Sequence, residues 1–455
     1  MPLDAPLPST ADLHARGVEE RRATARRDLA TLTVATRDPL GILAAQNETR
    51  IPDLIGLRAE RMSTDPFAFY RGTAALMAAD LADDPHSGIV VASCGDAHVA
   101  NFGFYASPQR TLVFDLNDFD EAAWAPWEWD VKRLVTSIVV GGRHTSRDAA
   151  VTERAARAAV GAYLATLRRL TALSARERYS LHLDPKKGMG ALAKTSRKAL
   201  AAAMSDALRR TGDRAARRWT TTDAAGRAVF VEAPPTMTHV DDEIEERARS
   251  LYGAYQRSAS VDIALLLQHY AVADVARRVV GVGSVGTRCY LAALEDGDGR
   301  VMLLQMKQAG PSVLEQYGRI EQPFTLRASI ADGGQGARVV SLQRIQQAFS
   351  DPFLGYVQAP AGDYYVRQFH DLKGSIDTDT LEDVSFVEYA QACGGVLARA
   401  HAQDPVAAEI VGYAGNGRQV TDAILEWSLA YANLSAADFR DFVSANAAPS
   451  DPVAA

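Results

Sequence analysis

Cysteine is scarce in this chain. The three present, Cys94, Cys289 and Cys393, stand alone, with neither the paired spacing of a zinc site nor the density of a disulfide framework. That pattern is expected of a protein kept in a reducing compartment. Long apolar runs are missing as well: no stretch of about 18 consecutive apolar residues occurs, so no membrane-spanning helix and no membrane partner are expected. The first residues carry Asp4, Asp12, Glu19 and Glu20 and lack the apolar centre of a leader, which makes the cytoplasm the expected location. Positive charge is not in excess. Against 56 Asp and Glu stand 49 Lys and Arg, a formal net charge of −7, so nucleic acid is not an expected general partner. A locally basic stretch from Lys186 to Arg218 reads as a solvated helical face. Repeats and low-complexity tracts are absent.

The stretch richest in chemistry is Cys94-Gly95-Asp96-Ala97-His98-Val99-Ala100-Asn101-Phe102, followed by Asn117-Asp118-Phe119-Asp120. An Asp, an Asn five residues on and a second Asp 17 residues further make an acidic skeleton that suits phosphoryl transfer. That reaction asks little covalent work of a protein. It does need anionic oxygens fixed beside the nucleophile and around a metal ion. Asp96 is the candidate acceptor of the hydroxyl proton, with His98 beside it; Asn101 and Asp118 are candidate Mg²⁺ ligands, and Asp115 is a rival for Asp118. The segment Ile89–Ala92 reads as a strand entering the loop, 106–109 as a turn and Thr111–Phe114 as a strand leaving it. Gly-Asp and Asn-Asp pairs also form ordinary turns, which is the plain structural alternative.

A second informative segment lies far downstream. Val279-Val280-Gly281-Val282-Gly283-Ser284-Val285-Gly286 precedes an apolar strand through Cys289–Leu294, a Gly297-Asp298-Gly299 turn and a third strand ending at Lys307. A dinucleotide-binding reading requires a helix after the glycines, whereas here a strand follows. Strand, glycine loop, strand, turn, strand and Lys is the order that covers ATP phosphates in kinases. Gly281, Gly283, Ser284, Gly286 and Lys307 are therefore candidate ATP contacts, and Glu315 or Glu321 the candidate carboxylate paired with Lys307.

The order of the two segments is inverted. Kinases carry the glycine loop first and the acidic loop last, so the arrangement here predicts an α+β, two-lobed protein-kinase-like fold that is circularly permuted and carries extra helices, a rearrangement tolerated when the original chain ends lie close together. Five segments are expected: 1–50 as an N-terminal helical extension, 51–172 as the acidic-loop part of the larger lobe, 173–270 as a helical insert with the basic stretch, 271–372 as the glycine-loop and Lys lobe, and 373–455 as the C-terminal helical part of the larger lobe. Within them, 149–173 and 241–276 read as helix, 229–233 as a short strand, 363–369 as a strand running into a linker, and the last residues from 447 as frayed. Either 73–81 or 390–401 is the helix that leads to the acidic loop.

The chain also resembles a known family, the bacterial domain of unknown function 2252 family, from about Arg61 to Ala402. The strings that carry the resemblance are Met62–Gly72, Cys94–His98 with Asn101–Gly103, Asn117–Glu121, Gly281–Gly286 and Tyr365–Gln368. The acidic part is similar to aminoglycoside and choline phosphotransferases, whose Gly-Asp-x-His-x-x-Asn loop is matched by Gly95, Asp96, His98 and Asn101, with Cys94 where those enzymes carry a His. The resemblance implies that His98 orients the loop and that Asp130, in Pro126-Trp127-Glu128-Trp129-Asp130, supports it through backbone hydrogen bonds. A helix N-cap or first-turn acid is the equal alternative for Asp130.

The expected function is an ATP- and Mg²⁺-dependent phosphotransferase acting on a hydroxyl of a small-molecule acceptor. Two other classes remain open: a catalytically weak nucleotide-binding regulatory protein of the same fold, and a metal-dependent hydrolase or oxygenase built on Asp96, His98 and Asp118. Phe67, Phe69, Tyr70, Trp124, Trp127 and Trp129 could line an acceptor site, though aromatic clusters more often belong to a core.

Overall fold

The acidic segment folds around four short strands. β1 (Val90–Ser93) pairs antiparallel with β4 (Ala123–Pro126), and β2 (Phe102–Ala106) pairs with β3 (Leu112–Leu116) across a turn in which Arg110 sits at φ 60. The sequence reading has strands only before and after the loop; β2 and β4 are additional. Their alternation covers four or five residues each, too short a run to announce itself. The computed structural model describes residues 7–34, 37–279, 281–360, 362–369 and 371–447. Val280 of the glycine segment, the first six residues and the end expected to fray from residue 448 lie outside the described residues.

A helix, Trp127–His144, begins directly after β4. Its first turn carries Asp130, whose Oδ2 accepts the Cys94 N–H at 2.8 Å and whose Oδ1 accepts the Gly95 N–H at 3.0 Å. Asp130 is thus both a first-turn acid and the support of the loop. His401, at the end of the helix Asp383–His401, brings Nε2 to 3.2 Å from the same Oδ2, and the Tyr163 hydroxyl lies 2.8 Å from His401 Nδ1. Tyr163 belongs to the helix Ala149–Thr171, so three helices converge beneath one loop. The helix Ala74–Leu81 also forms, upstream of β1.

Downstream, β5 (Thr220–Thr222) and β6 (Ala228–Phe230) make a small hairpin. A six-stranded antiparallel sheet then takes β7 (Met237–His239), β8 (Tyr270–Arg278), β9 (Cys289–Asp296), β10 (Val301–Ala309), β11 (Gly355–Ala359) and β12 (Gly362–Gln368) in the order β11-β12-β10-β9-β8-β7. The helix expected over 241–276 ends earlier: helices Asp242–Ser258 and Val261–Leu267 are followed by β8. The apolar run of 264–267 leads straight into Tyr270-Ala271-Val272, which blurs the boundary, and the ladder from Tyr270 to Arg277 along β9 decides for strand. Between β10 and β11 runs the helix Phe324–Gln346, broken at Gly334. A two-residue strand, β13 (Gly374–Ser375), returns to pair with β2.

One large apolar core lies among the helices around Trp127, Tyr163 and Leu397; a second, under the sheet, gathers Leu294, Leu304, Met306 and Val366. Phe69, Tyr70, Trp127 and Trp129 are buried, and Trp127 stacks on Tyr163 with ring centroids 5.6 Å apart. These aromatics belong to the core and do not line a binding site. No described helix is long and apolar enough to cross a membrane.

The support beneath the acidic loop predicts a large stability effect. Asp130→Ala removes a buried carboxylate from two backbone N–H groups and from His401, a loss expected to cost about 3–5 kcal/mol. Urea unfolding measures it; an unchanged midpoint would remove Asp130 from this role.

Candidate functional site

Gly95, at φ 77, lets the loop turn tightly enough to bring Asp96 out of the core; a Cβ there would meet the Glu121 carbonyl oxygen at 2.1 Å. Arg133, on the same helix as Asp130, holds Asp96 Oδ1 with Nε at 2.8 Å. Oδ2 stays free of that pair, with His98 Nε2 3.6 Å away. Burial raises the Asp96 pKa, against the pull of the Arg133 guanidinium. His98 is itself buried; burial, with Arg71 and Arg133 nearby, pushes its pKa well down and keeps the ring neutral. Its Nδ1 has no partner from any other described residue, and the ring packs beside Asp96. Asn101 donates its Nδ2–H to the Asp96 carbonyl at 2.7 Å, and Asn117 N–H bonds the Asn101 carbonyl, which closes the loop onto the start of β3's exit.

Asp118 follows directly. Burial acts to raise its pKa, yet the positive charges of Lys307, Arg367 and Lys373 and the Asp120 N–H outweigh burial and hold the carboxyl below its ordinary range. Lys307, on β10 and 2% exposed, forms an ion pair with Asp120, whose other oxygen accepts the Tyr365 hydroxyl at 2.8 Å. Burial works against the ammonium, but Asp118 and Asp120 prevail and raise its pKa well above the usual lysine value. The partner of Lys307 is therefore Asp120. Glu315 stands on the short helix Val313–Gln316, beyond the end of β10, and Glu321 is taken by Arg327 at 2.5 Å. Lys307 points from the strand toward the 117–121 loop, where neither glutamate lies. Asp115, the rival to Asp118, faces elsewhere: it accepts the Ala348 and Leu116 N–H groups, each at 2.9 Å.

The glycine segment reaches the same place. Gly281 and Gly286 take φ 69 and 89, and Gly283 and Ser284 share with Asp96, Asp118, Asp120 and Glu121 the wall of a cavity of about 650 Å³. Of the other sequence candidates, His98, Asn101, Gly281, Gly286, Lys307 and Glu315 do not line this cavity. The glycine turn is braced from outside: Arg61 Nη1 donates to the Gly281 carbonyl at 2.8 Å, Ile51 N–H to the Gly286 carbonyl at 2.8 Å, and Arg50 to the Val285 carbonyl. A neighbouring cavity of about 390 Å³ is lined by Asn117, Gln305, Arg367 and Lys373 among others, the last two being cations that act on Asp118.

Sequence reasoning missed Asp120, Glu121, Arg50 and Arg71 as cleft residues. The first two adjoin Asp118 in the same string and were within reach of it. The arginines carry no spacing signal, because their approach to the cleft is set by contacts between segments far apart in sequence. Glu121 is the most perturbed acid there: burial lifts its pKa to about 7, against the Val313 N–H it accepts at 2.9 Å and the Arg338 charge.

That shift fixes a sign. At acid pH, below the unfolded glutamate pKa near 4.5, both folded and unfolded states hold the proton. As pH rises toward 7 the unfolded chain releases its proton first, so stability falls, and the loss is complete above about 7, worth up to about 3 kcal/mol. Glu121→Gln should flatten this part of the stability profile between pH 5 and 8, as read by denaturant titrations; an unaltered slope would exclude Glu121 as its source.

Comparison with curated proteins and with solved structures finds no match. Residues 50–445, which include the acidic loop, the glycine turn and both supporting arginines, fit the family model of the uncharacterized proteins conserved in bacteria, DUF2252, and the chain belongs to that family.

Proposed function

We propose that the protein is an ATP- and Mg²⁺-dependent phosphotransferase that acts on a hydroxyl of a small molecule. The observation that carries this is the meeting, in one cavity, of Gly283 and Ser284 with Asp96 and Asp118, while Lys307 reaches the acidic loop from β10. Strand connectivity supports the same reading. A glycine turn joins β8 to β9, the Lys stands on the next strand, and a long helix follows before β11 and β12, which is the order of parts in a kinase nucleotide lobe. With the acidic loop ahead of this lobe in sequence, the fold is read as a permuted, kinase-like one.

Each residue then has a task. Asp96, with Oδ1 committed to Arg133, offers Oδ2 to the acceptor hydroxyl and takes its proton. The acceptor oxygen bonds the γ-phosphorus as the bond from that phosphorus to the β–γ bridging oxygen breaks, and ADP leaves with the electron pair. Lys307 supplies positive charge for the phosphates, and the glycine turn lets backbone approach them. Among the described residues no group of three or more His, Cys, Asp or Glu could hold a metal alone. Mg²⁺ is commonly held by one or two carboxylates together with substrate phosphates and water, and Asp118, kept ionised, suits that part, with Asn101 adjacent. The ion would neutralise phosphate charge. No observation favours a hydrolase or oxygenase centred on Asp96, His98 and Asp118, since His98 is buried and does not line the cavity.

Mg²⁺–ATP is expected to raise the melting temperature, with ligand at 100 times Kd adding roughly 2.7 kcal/mol. Lys307→Ala should reduce that shift by removing the positive charge that pairs with Asp120 and acts on Asp118 at the nucleotide end of the cleft. Gly283→Val should do so by crowding the turn, since a Cβ there already lies 3.3 Å from the Arg71 carbonyl oxygen. No shift with any nucleotide would sink the proposal, and binding without turnover would point to a regulatory nucleotide-binding protein.

The two aspartates separate chemistry from binding. Asp96→Asn should leave Mg²⁺–ATP affinity nearly intact and slow turnover by roughly 10²–10⁴, the range for a positioned base. Asp118→Asn should weaken metal-dependent nucleotide binding itself. A labelled-ATP screen over a metabolite pool supplies the acceptor for the turnover arm; equal effects of both variants on nucleotide affinity would contradict the assignment.

A further inference from the structure

We infer that the acceptor is itself an anion: a hydroxyl compound bearing a phosphate or carboxylate group that Arg71 binds, with Arg50 alongside. The inference rests on the phosphotransferase reading and extends it to the class of substrate. Both arginines line the cavity that holds Asp96 and Asp118. Arg71 closes the helix Pro66–Arg71, which Asp65 caps through the Phe67 and Ala68 N–H groups, so its backbone is fixed. Its side chain has no hydrogen-bond or ion-pair partner among the described residues, and its Nε is buried. Other guanidinium groups near the cleft are committed. Arg133 holds Asp96 and the Tyr70 carbonyl, Arg338 bonds the Ala122, Asp120 and Gly310 carbonyls, and Arg367 holds Gln305. Arg50 spends one nitrogen on the Val285 carbonyl and keeps a buried Nε unpartnered.

Arg71 stands where the two halves of the cleft meet: Arg133 bonds both Asp96 and the Tyr70 carbonyl one residue before it, and the Arg71 carbonyl backs Gly283 of the glycine turn. The Arg71 charge acts on Asp96 and His98, the end of the cleft where a hydroxyl would be deprotonated, whereas Lys307 is ion-paired with Asp120. A neutral acceptor would leave the Arg71 guanidinium, which lines the cavity, without an acceptor group; an oxyanion matches its fork of donors.

Inorganic phosphate is the probe. Titrated calorimetrically into the full chain without nucleotide, it should bind saturably in the millimolar range, and Arg71→Ala should weaken it roughly ten- to hundredfold, the loss of a charge-assisted contact. Arg71→Lys should retain part of the binding, which separates lost charge from lost folding, and circular dichroism should be unchanged in both. Phosphate and the non-hydrolysable Mg²⁺–AMP-PNP should bind together without competition. Absence of saturable phosphate binding, binding indifferent to Arg71→Ala, or competition with AMP-PNP would each overturn the inference, the last by assigning the arginine to nucleotide phosphate. Should AMP-PNP itself fail to bind, the nucleotide reading falls while the phosphate titration still decides the Arg71 site.

Discussion

The buried ammonium of Lys307 is the constraint on which the cleft depends. A lysine enclosed to this degree persists only with charge compensation, and Asp118 and Asp120 supply it from a loop that belongs to a different sheet. The pair therefore fixes the distance between the six-stranded sheet and the acidic segment. Tyr365, opposite Lys307 in the β10–β12 ladder, adds its hydroxyl to Asp120, and Arg338 ties the Asp120 and Ala122 carbonyls to that of Gly310 at the end of β10. Removing either member of the ion pair would leave the other charge stranded, so the two halves of the site are energetically one unit.

The acidic loop is held just as firmly from beneath. Backbone N–H groups of Cys94 and Gly95 point at Asp130, and Arg133, stacked 4.0 Å over the Tyr70 ring, anchors Asp96 from the same helix. One oxygen of Asp96 is thus immobilised and the other is left to act. In the proposed reaction, charges fixed before any ligand arrives would need no reorganisation, the economy that favours electrostatic catalysis.

How much of this was legible beforehand follows from distance along the chain. Asp96, Asp118 and the glycine turn each sit in a compact string that could be singled out from residue types and spacing, and they share one cavity; the loop support by Asp130 could be taken from resemblance. The partner of Lys307 could not. Glu315 is eight residues away in sequence, while Asp120 is 187 away, and only the packed sheet reveals which is near in space. Arg50 and Arg71 were hidden for a related reason, since a lone arginine in a bend or at a helix end reads as solvated until its surroundings are known. Local competition explains the boundary near residue 270, where an apolar helix runs into a strand with no glycine or proline between them.

The same separation of 187 residues has a consequence for biosynthesis. At 5–20 residues per second, a ribosome that has released Asp120 needs roughly ten to forty seconds to produce Lys307. During that interval the nascent chain carries two cleft acids without the lysine that Asp120 pairs with, and the loop must stay hydrated. The acidic part of the larger core can collapse around Trp127 and Tyr163 meanwhile, but the cleft closes only when β10 arrives. Assembly of this site is therefore a late event, gated by translation.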